Sequence, residues 1–275
     1  MTRIALFQSR TGIDPAANAA ALADAIDRAA AGGAEMLFTP EMSGLLDRDA
    51  GRAAHKLTQE EDDPVLAECR EAAARTGIWL HLGSLAVRTR DELLANRGFV
   101  IDARGEIRGR YDKIHLFDVD LPTGESWRES AIYAPGEEAV VVSGTPVGNL
   151  GLTICYDLRF PALFASLAEA GADLVAVPAA FTVPTGRAHW QVLLRARAIE
   201  ASLFIVAAAQ SGRHEDGRET YGHSLVVDPW GDVLLDMNAE LGVAFADIDL
   251  SRITDVRRRI PALSHRRAVG EAAIH

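Results

Sequence analysis

Cysteine is scarce in this chain: only Cys69 and Cys155 occur among 275 residues. Two thiols cannot build the disulfide framework of a small secreted protein, and they are too few for a structural zinc site. The eight histidines contain no closely spaced pair, and no glycine-rich phosphate or dinucleotide motif occurs. The sequence therefore predicts no metal and no cofactor, and each cysteine must serve either packing or chemistry.

Long apolar runs and an excess of basic residues are also missing. No stretch approaches the ~20 apolar residues that a membrane-spanning helix needs, and a net charge of −11 would repel the phosphates of nucleic acid. The apolar residues Ile4–Phe7 follow Met1 so closely that no room is left for a signal peptide. We therefore expect a cytoplasmic protein that contacts neither membrane nor nucleic acid.

Lysine is the third scarce residue. Lys56 and Lys113 are the only lysines among 28 basic residues, and all the others are arginine. A GC-rich genome would explain this bias. It also makes a retained lysine a candidate for a compact ammonium role that the planar guanidinium of arginine fills poorly.

Helical and strand patterns alternate along the chain. Asp14-Pro15 and Asp63-Pro64 each place an N-cap and a first-turn proline before a segment that ends at glycine, which predicts a helix. Short apolar runs between the helices predict buried strands, so we expect a layered α/β protein. It is predicted as a single domain over residues 1–275, with 260–275 as a C-terminal tail. The predicted helices are 14–31, 63–76, 161–170, 186–202 and a short one from 251; the predicted strands are 36–39, 78–85, 99–102, 107–111, 139–142, 150–155, 174–178, 203–210 and 243–248.

Three chemically useful residues stand at the ends of predicted strands: Glu41, Lys113 and Cys155. Residues just beyond the carboxyl ends of strands in α/β sheets converge on the crevice where ligands bind. A carboxylate, an ammonium and a thiol suffice for acyl transfer: the thiol attacks a carbonyl, the carboxylate shuttles its proton, and the ammonium stabilises the oxyanion. The N–H of Tyr156 is expected to be the second oxyanion donor.

Taken singly, each of these residues also has an ordinary explanation. A glutamate after a strand is usually a solvated turn residue, and cysteine is among the most buried residue types. Cys69 fits that second explanation, because it lies on the apolar face of the predicted helix 63–76, and we interpret it as structural.

Three segments carry a family resemblance in addition to these positions. Pro40-Glu41, Tyr111–Asp118 and Leu152–Pro161 resemble the three signature segments of the nitrilase superfamily, in the same order. The similarity extends over nearly the whole chain. It implies a four-layer α-β-β-α sandwich, the three catalytic roles stated above, and assembly into a homodimer or a larger homo-oligomer.

The resemblance also implies a second glutamate that holds the catalytic lysine. Glu129 matches its position, within a long segment, residues 117–138, that we expect to be irregular. Glu125 is the competing glutamate in the same segment.

Further matches lie in the second half of the chain, including Thr185–Trp190 and Tyr221–Ser224. They resemble the amidase branch that contains ω-amidases and deaminated-glutathione amidases. This branch implies hydrolysis of a small carboxylated amide to the acid and ammonia through a Cys155 thioester. Substrate contacts are expected from a bidentate arginine and from residues near the nucleophile. The candidate substrate-binding residues are Tyr156, Arg159, Phe181, Thr182 and Arg187.

Several alternatives stay open at this stage. Within the family they are an ω-amidase acting on α-keto acid amides and an N-carbamoyl amino acid amidohydrolase. A different enzyme class would be a Cys-His thiol hydrolase with His115 or His223 as the base. The non-enzymatic alternative is a catalytically silent scaffold on the same fold.

Overall fold

The computed structural model of the chain describes residues 1–89, 93–120, 124, 126–270 and 272–274. Two six-stranded sheets dominate it, and helices flank them. The α-helices are α1 (Pro15–Ala31), α2 (Ala50–Ala54), α3 (Pro64–Thr76), α4 (Pro161–Glu169), α5 (Val183–Ala201) and α6 (Ser251–Arg259). The strands are β1 (Thr2–Gln8), β2 (Met36–Phe38), β3 (Trp79–Arg88), β4 (Leu94–Ile101), β5 (Ile107–Asp112), β6 (Asp118–Asp120), β7 (Ser126–Arg128), β8 (Val141–Thr145), β9 (Gly148–Leu152), β10 (Leu174–Ala176), β11 (Phe204–Ala207), β12 (Ser211–Arg213), β13 (Glu219–Tyr221), β14 (Leu225–Val227), β15 (Val233–Asp236) and β16 (Gly242–Ile248).

The first sheet has the strand order β16-β1-β2-β3-β4-β5. Successive side chains of a strand point to opposite faces, and β1 shows this directly. Ile4 and Leu6 enter the core cluster that includes the second sheet, whereas Ala5 packs with Leu22 and Ile26 of α1 in a separate cluster. One face of this sheet is therefore covered by α1 and α3, and the other faces the second sheet.

The second sheet has the order β15-β14-β11-β10-β9-β8 and is parallel at its centre, where β10 pairs with β9 and β11. Helices α4 and α5 contribute Phe164, Leu167, Trp190 and Leu194 to the core cluster on this side. The four-layer α-β-β-α sandwich expected from the sequence is confirmed.

The helix boundaries follow the capping signals. Asp14 accepts a hydrogen bond from the Ala16 N–H, Asp63 accepts from two first-turn N–H groups, and Gly77 ends α3 in the left-handed conformation. Cys69 lies in α3, is fully buried, and has a pKa raised by desolvation and by nearby acidic groups. Its environment is that of a packing residue.

Two local predictions were wrong. Residues 117–138 are not irregular throughout, because β6 and β7 form a short antiparallel ribbon there, followed by a 3₁₀ turn at Glu129–Ala131. The strand expected to run to Cys155 ends at Leu152, and Cys155 instead opens a 3₁₀ helix, Cys155–Arg159. Within the described residues, no helix combines the length and apolarity needed to cross a bilayer.

Candidate active site

Glu41 follows β2 and is almost fully buried. Its Oε2 accepts a hydrogen bond of 3.0 Å from the Ala180 N–H, and its main-chain oxygen accepts one of 2.9 Å from Nε2 of Gln210. The chain turns sharply after it, since Met42 has a φ of +56° and its N–H donates to Oγ of Ser84 at 2.9 Å. These contacts fix the position of the carboxylate.

Lys113 comes directly after β5, and its ammonium lies between two carboxylates. Nζ is 2.9 Å from Oε1 of Glu41 and 2.8 Å from Oε2 of Glu129. Only 2% of the Lys113 side chain is exposed, so water competes little for these charge-assisted bonds. Burial alone would lower the lysine pKa, but the charges of Glu129 and Glu41 outweigh it and raise that pKa well above its usual value. The ammonium is therefore permanently charged.

Glu129 is held in turn by the segment that precedes it. Its Oε2 accepts a hydrogen bond of 2.7 Å from the Phe117 N–H, and the 3₁₀ turn places it beside Lys113. The sequence assigned Glu129 to this position with Glu125 as the competitor; Glu125 lies outside the described residues.

Asn96, which the sequence reasoning missed, joins the two glutamates. Its Nδ2 donates to Oε1 of Glu41 at 3.0 Å and to Oε1 of Glu129 at 3.2 Å, and its main-chain oxygen accepts from the Lys113 N–H at 3.0 Å. A polar side chain within a buried strand would have been the signal for Asn96. The predicted strand began only at Phe99, so Asn96 fell outside it.

Cys155 stands in a strained backbone conformation at the start of its 3₁₀ helix. Its φ is +48°, which costs a residue with a side chain roughly 1–3 kcal/mol and is typical of functional positions. The surroundings impose it: the Cys155 N–H donates to the Pro178 carbonyl at 2.9 Å, and Asp157 accepts from the Ile154 N–H at 2.8 Å. The first two N–H groups of a 3₁₀ helix, here those of Cys155 and Tyr156, have no acceptor within the helix itself.

Desolvation and the charge of Glu41 raise the pKa of the Cys155 thiol well above its usual value, and Lys113 and the Ala180 N–H offset this only in part. The Cys155 side chain is consequently a neutral thiol at neutral pH. Such a thiol needs a base to take its proton during attack, and Glu41 is the neighbouring carboxylate.

A cavity of about 890 Å³ contains these groups. Four of the five predicted substrate-binding residues line it together with Glu41, Lys113, Glu129 and Cys155; these four are Tyr156, Arg159, Phe181 and Thr182. The guanidinium of Arg159 lies 5.5 Å from the ring centre of Phe181.

Arg187 is the exception, because the structure places it on the exposed side of α5 and away from the cavity. Thr185 lines the cavity, and two residues further along an α-helix correspond to a rotation of roughly 200°. The sequence run around Arg187 carries no information about which face of α5 would meet the site, and a substrate contact of Arg187 stays a prediction.

Arg218 is a cavity residue that the sequence reasoning did not find. Its Nε donates to Oδ2 of Asp216 at 2.7 Å, and its guanidinium lies 5.1 Å from the ring centre of Trp127. The side chain of Asp216 is fully buried, so the charge of Arg218 is balanced locally. No sequence signal distinguished it from the other arginines.

The two histidines considered as alternative bases do not line the cavity among the described residues. Nδ1 of His115 lies 2.7 Å from Asp157, and Nδ1 of His223 lies 3.0 Å from Asp236. Both rings are engaged in structural contacts, which argues against a Cys-His hydrolase. Across the same described ranges, no cluster of three or more metal-ligating side chains occurs.

Sequence comparison agrees with this geometry. Residues 3–258 match the model of the carbon-nitrogen hydrolase family. The chain belongs to that family. Carbon-nitrogen hydrolases of this kind cleave non-peptide carbon–nitrogen bonds, and the chain is accordingly a hydrolase of such bonds.

Individual carbon-nitrogen hydrolases resemble it closely. A deaminated glutathione amidase of Yersinia enterocolitica is 41% identical over 269 residues, 97% of this chain and 93% of that protein. The crystal structure of the NitFhit protein of C. elegans superposes with a TM-score of 0.89 at 39% identity, over 97% of this chain and 65% of the longer one. An amidase of Nesterenkonia sp. AN1, solved with acrylamide added to its active-site cysteine, gives a TM-score of 0.79 at 30% identity over 95% of this chain and 98% of the other.

Proposed function

We propose that this chain hydrolyses a carboxylated amide of the deaminated-glutathione type through a thioester on Cys155. The observation that carries the proposal is the Lys113 ammonium, held at 2.9 Å from Glu41 and 2.8 Å from Glu129 in the cavity that also contains Cys155. In this proposal Glu41 is the acid–base group, Lys113 the oxyanion donor and Cys155 the nucleophile.

In the first step, Sγ of Cys155 bonds to the amide carbon while its proton passes to the Glu41 carboxylate. The carbonyl oxygen becomes an oxyanion that accepts hydrogen bonds from Nζ of Lys113 and from the Tyr156 N–H. When the C–N bond breaks, Glu41 returns the proton to the nitrogen and the amine leaves. Water then attacks the thioester, giving its proton to Glu41, which passes one to the departing thiolate.

Substrate identity rests on the relatives and on one arginine. Deaminated glutathione carries carboxylates and a secondary amide, so with this substrate the leaving group is an amine, in place of the ammonia expected from the sequence. Arg159 lines the cavity, and among the described residues it forms no ion pair with a carboxylate; its Nη1 lies 3.3 Å from Nδ1 of His189. We assign the carboxylate of the acyl half to Arg159.

A substrate panel tests the proposal. Purified enzyme would be assayed with deaminated glutathione, α-ketoglutaramate, α-ketosuccinamate and N-carbamoyl amino acids, with Cys155→Ala as the control. The highest kcat/KM is expected for deaminated glutathione, with activity absent from the control. A higher kcat/KM for α-ketoglutaramate would favour an ω-amidase, and no Cys155-dependent turnover of any amide would favour a silent scaffold.

Assembly and location are part of the same proposal. Helix α5 exposes Val192 and Ile199, and Trp230 is also half exposed; apolar side chains of this size favour a protein–protein contact. We propose a cytoplasmic homo-oligomer that pairs across this region. Size-exclusion chromatography with light scattering measures the molar mass in solution, and a monomer would contradict the proposal. If the protein is an oligomer, Val192→Glu is expected to shift it towards monomer.

A further inference from the structure

Asp157 is a fully buried acidic residue that takes no part in the proposed reaction steps and does not line the cavity. A carboxylate removed from water needs several hydrogen bonds to compensate the lost solvation. The two oxygens of Asp157 obtain them from two separate parts of the chain, the segment that contains Lys113 and the turn that contains Cys155. The distribution of these donors indicates what the residue does.

The donors on one side come from residues that flank Lys113. The Tyr111 hydroxyl donates to Oδ2 of Asp157 at 2.7 Å, and the His115 N–H donates to Oδ1 at 3.0 Å. Nδ1 of His115 lies 2.7 Å from the same Oδ1. Burial and the charge of Asp157 raise the pKa of Tyr111 above its ordinary value, so the hydroxyl stays protonated and remains a donor. Lys113 is therefore held both two residues before it and two residues after it.

A further donor belongs to the turn that carries the nucleophile. The Ile154 N–H donates to Oδ2 of Asp157 at 2.8 Å, and the Asp157 N–H donates to the Ile154 carbonyl at 3.1 Å. Cys155, with its unfavourable φ of +48°, lies between these two residues. One buried carboxylate thus joins the chain on both sides of Lys113 to the turn that carries Cys155.

The separation of the lysine ammonium and the cysteine sulfur matters because both act on one carbonyl group. An oxyanion donor must lie about 3 Å from the oxygen that it stabilises, and a misplacement of about 1 Å can cost roughly 10²-fold in rate. The ion pairs of Lys113 with Glu41 and Glu129 fix the ammonium relative to these two carboxylates. Asp157 connects the same lysine segment to the nucleophile.

We propose that Asp157 is a positioning residue that, through Tyr111 and His115, sets the place of the Lys113 ammonium relative to Cys155. This assignment rests on the roles that the proposed function gives to Lys113 and Cys155, and it adds the group that holds them at a working separation. A purely structural Asp157 would affect the reaction by the same factor whether or not the lysine is present. A positioning residue loses its effect when the lysine is removed.

Hydrolysis of 4-nitrophenyl acetate tests the assignment. Transfer of the acetyl group to Cys155 needs an oxyanion donor, but it needs no substrate carboxylate and no proton on the leaving group, because 4-nitrophenolate leaves as an anion. The measured quantity is kcat/KM for the ester, which reports the acylation step. Cys155→Ala supplies the background rate, and circular dichroism verifies that each variant is folded.

Tyr111→Phe removes one donor to Asp157 without changing the charge. It is expected to lower kcat/KM by about three- to tenfold in the wild-type background and by less than about twofold in the Lys113→Met background. Asp157→Asn disturbs the donors of both segments, and a loss of about tenfold or more is expected. Tyr221→Phe is the matched control, because Tyr221 stacks on His223 and does not line the cavity; its kcat/KM should equal that of wild type.

The same factor for Tyr111→Phe in both backgrounds, or no loss in either Tyr111→Phe or Asp157→Asn, would overturn the assignment. Lys113→Gln replaces Lys113→Met if the latter does not fold. Ester hydrolysis that depends on Cys155, together with no hydrolysis of any amide in the substrate panel, would instead contradict the proposed function and leave the test of Asp157 valid. Absence of ester hydrolysis that depends on Cys155 would contradict both.

Discussion

The side-chain nitrogen of Asn96 lies 3.0 Å from Oε1 of Glu41, on the same oxygen that Lys113 contacts at 2.9 Å. One carboxylate oxygen is thus held by a neutral and a charged donor, and the Asn96 amide reaches on to Glu129 at 3.2 Å. Asn96 acts on the reaction through the two glutamates that it contacts, and we regard it as a positioning residue for this pair.

Asn96→Ala is expected to lower kcat/KM by about 10- to 100-fold, since a hydrogen bond to a charged group is worth roughly 1.5–3 kcal/mol. The loss should fall on kcat, with KM close to the wild-type value, because Asn96 contacts the two glutamates and does not line the substrate cavity. Steady-state kinetics measures both constants. Asn149→Ala is the control, because the Asn149 side chain donates to the Gly171 carbonyl and does not line the cavity; an equal loss in Asn149→Ala would show that the role of Asn96 is merely structural.

Lys113→Arg keeps the positive charge but not the shape. The planar guanidinium is too wide for the position where one ammonium contacts Glu41 and Glu129 within 3.0 Å. Removing one oxyanion donor typically costs about 10²–10³ in kcat, and we expect a loss of this size. Steady-state kinetics would contradict the assignment if the variant kept a tenth of the wild-type kcat.

The raised pKa of Cys155 predicts how alkylation depends on pH. Iodoacetamide reacts with the thiolate, so its rate with Cys155 should still be rising above pH 9, the usual thiol value. Because the charge of Glu41 contributes to this increase, the midpoint should fall in Glu41→Gln. Mass spectrometry of the alkylated protein locates the label; Cys69, fully buried, is the internal control and should stay unmodified. An unchanged midpoint of the alkylation rate in Glu41→Gln would show that the charge of Glu41 does not raise the pKa of Cys155.

Arg159 and Arg187 form a matched pair of arginines, one lining the cavity and one exposed on α5. Arg159→Gln is expected to raise KM for a carboxylated amide by about 10- to 100-fold, as for loss of a charge-assisted contact. Arg187→Gln should leave KM as it is in wild type. Equal changes of KM in the two variants would show that Arg159 does not bind the substrate carboxylate.

His81 predicts a pH dependence of stability. It is buried next to Phe38, and desolvation lowers its pKa from 6.5 to about 3. Between these values the unfolded chain binds a proton that the folded protein does not, so stability falls by about 1.4 kcal/mol per pH unit as pH drops below 6.5. Urea unfolding of wild type and His81→Leu at pH 7.0 and 5.5 measures the difference. Parallel losses in the two proteins would show that His81 does not contribute.

Local signals in the sequence were sufficient for the helices α1 and α3, because Asp14, Asp63 and Gly77 act on their own neighbouring backbone. The end of β9 was misplaced because the conformation of Cys155 depends on a distant acceptor, Pro178, and on Asp157. Pro178 lies far from Cys155 along the chain, so no local pattern indicates that contact.

The sequence by itself determined the layered fold and the family, and it identified Glu41, Lys113 and Cys155 as candidates, since strand ends and signature segments are local patterns. The tertiary structure alone decided that Asn96 joins two glutamates and that Arg187 is exposed while Arg218 lines the cavity. Each of these depends on side chains that are far apart in the chain and meet only when the two sheets pack.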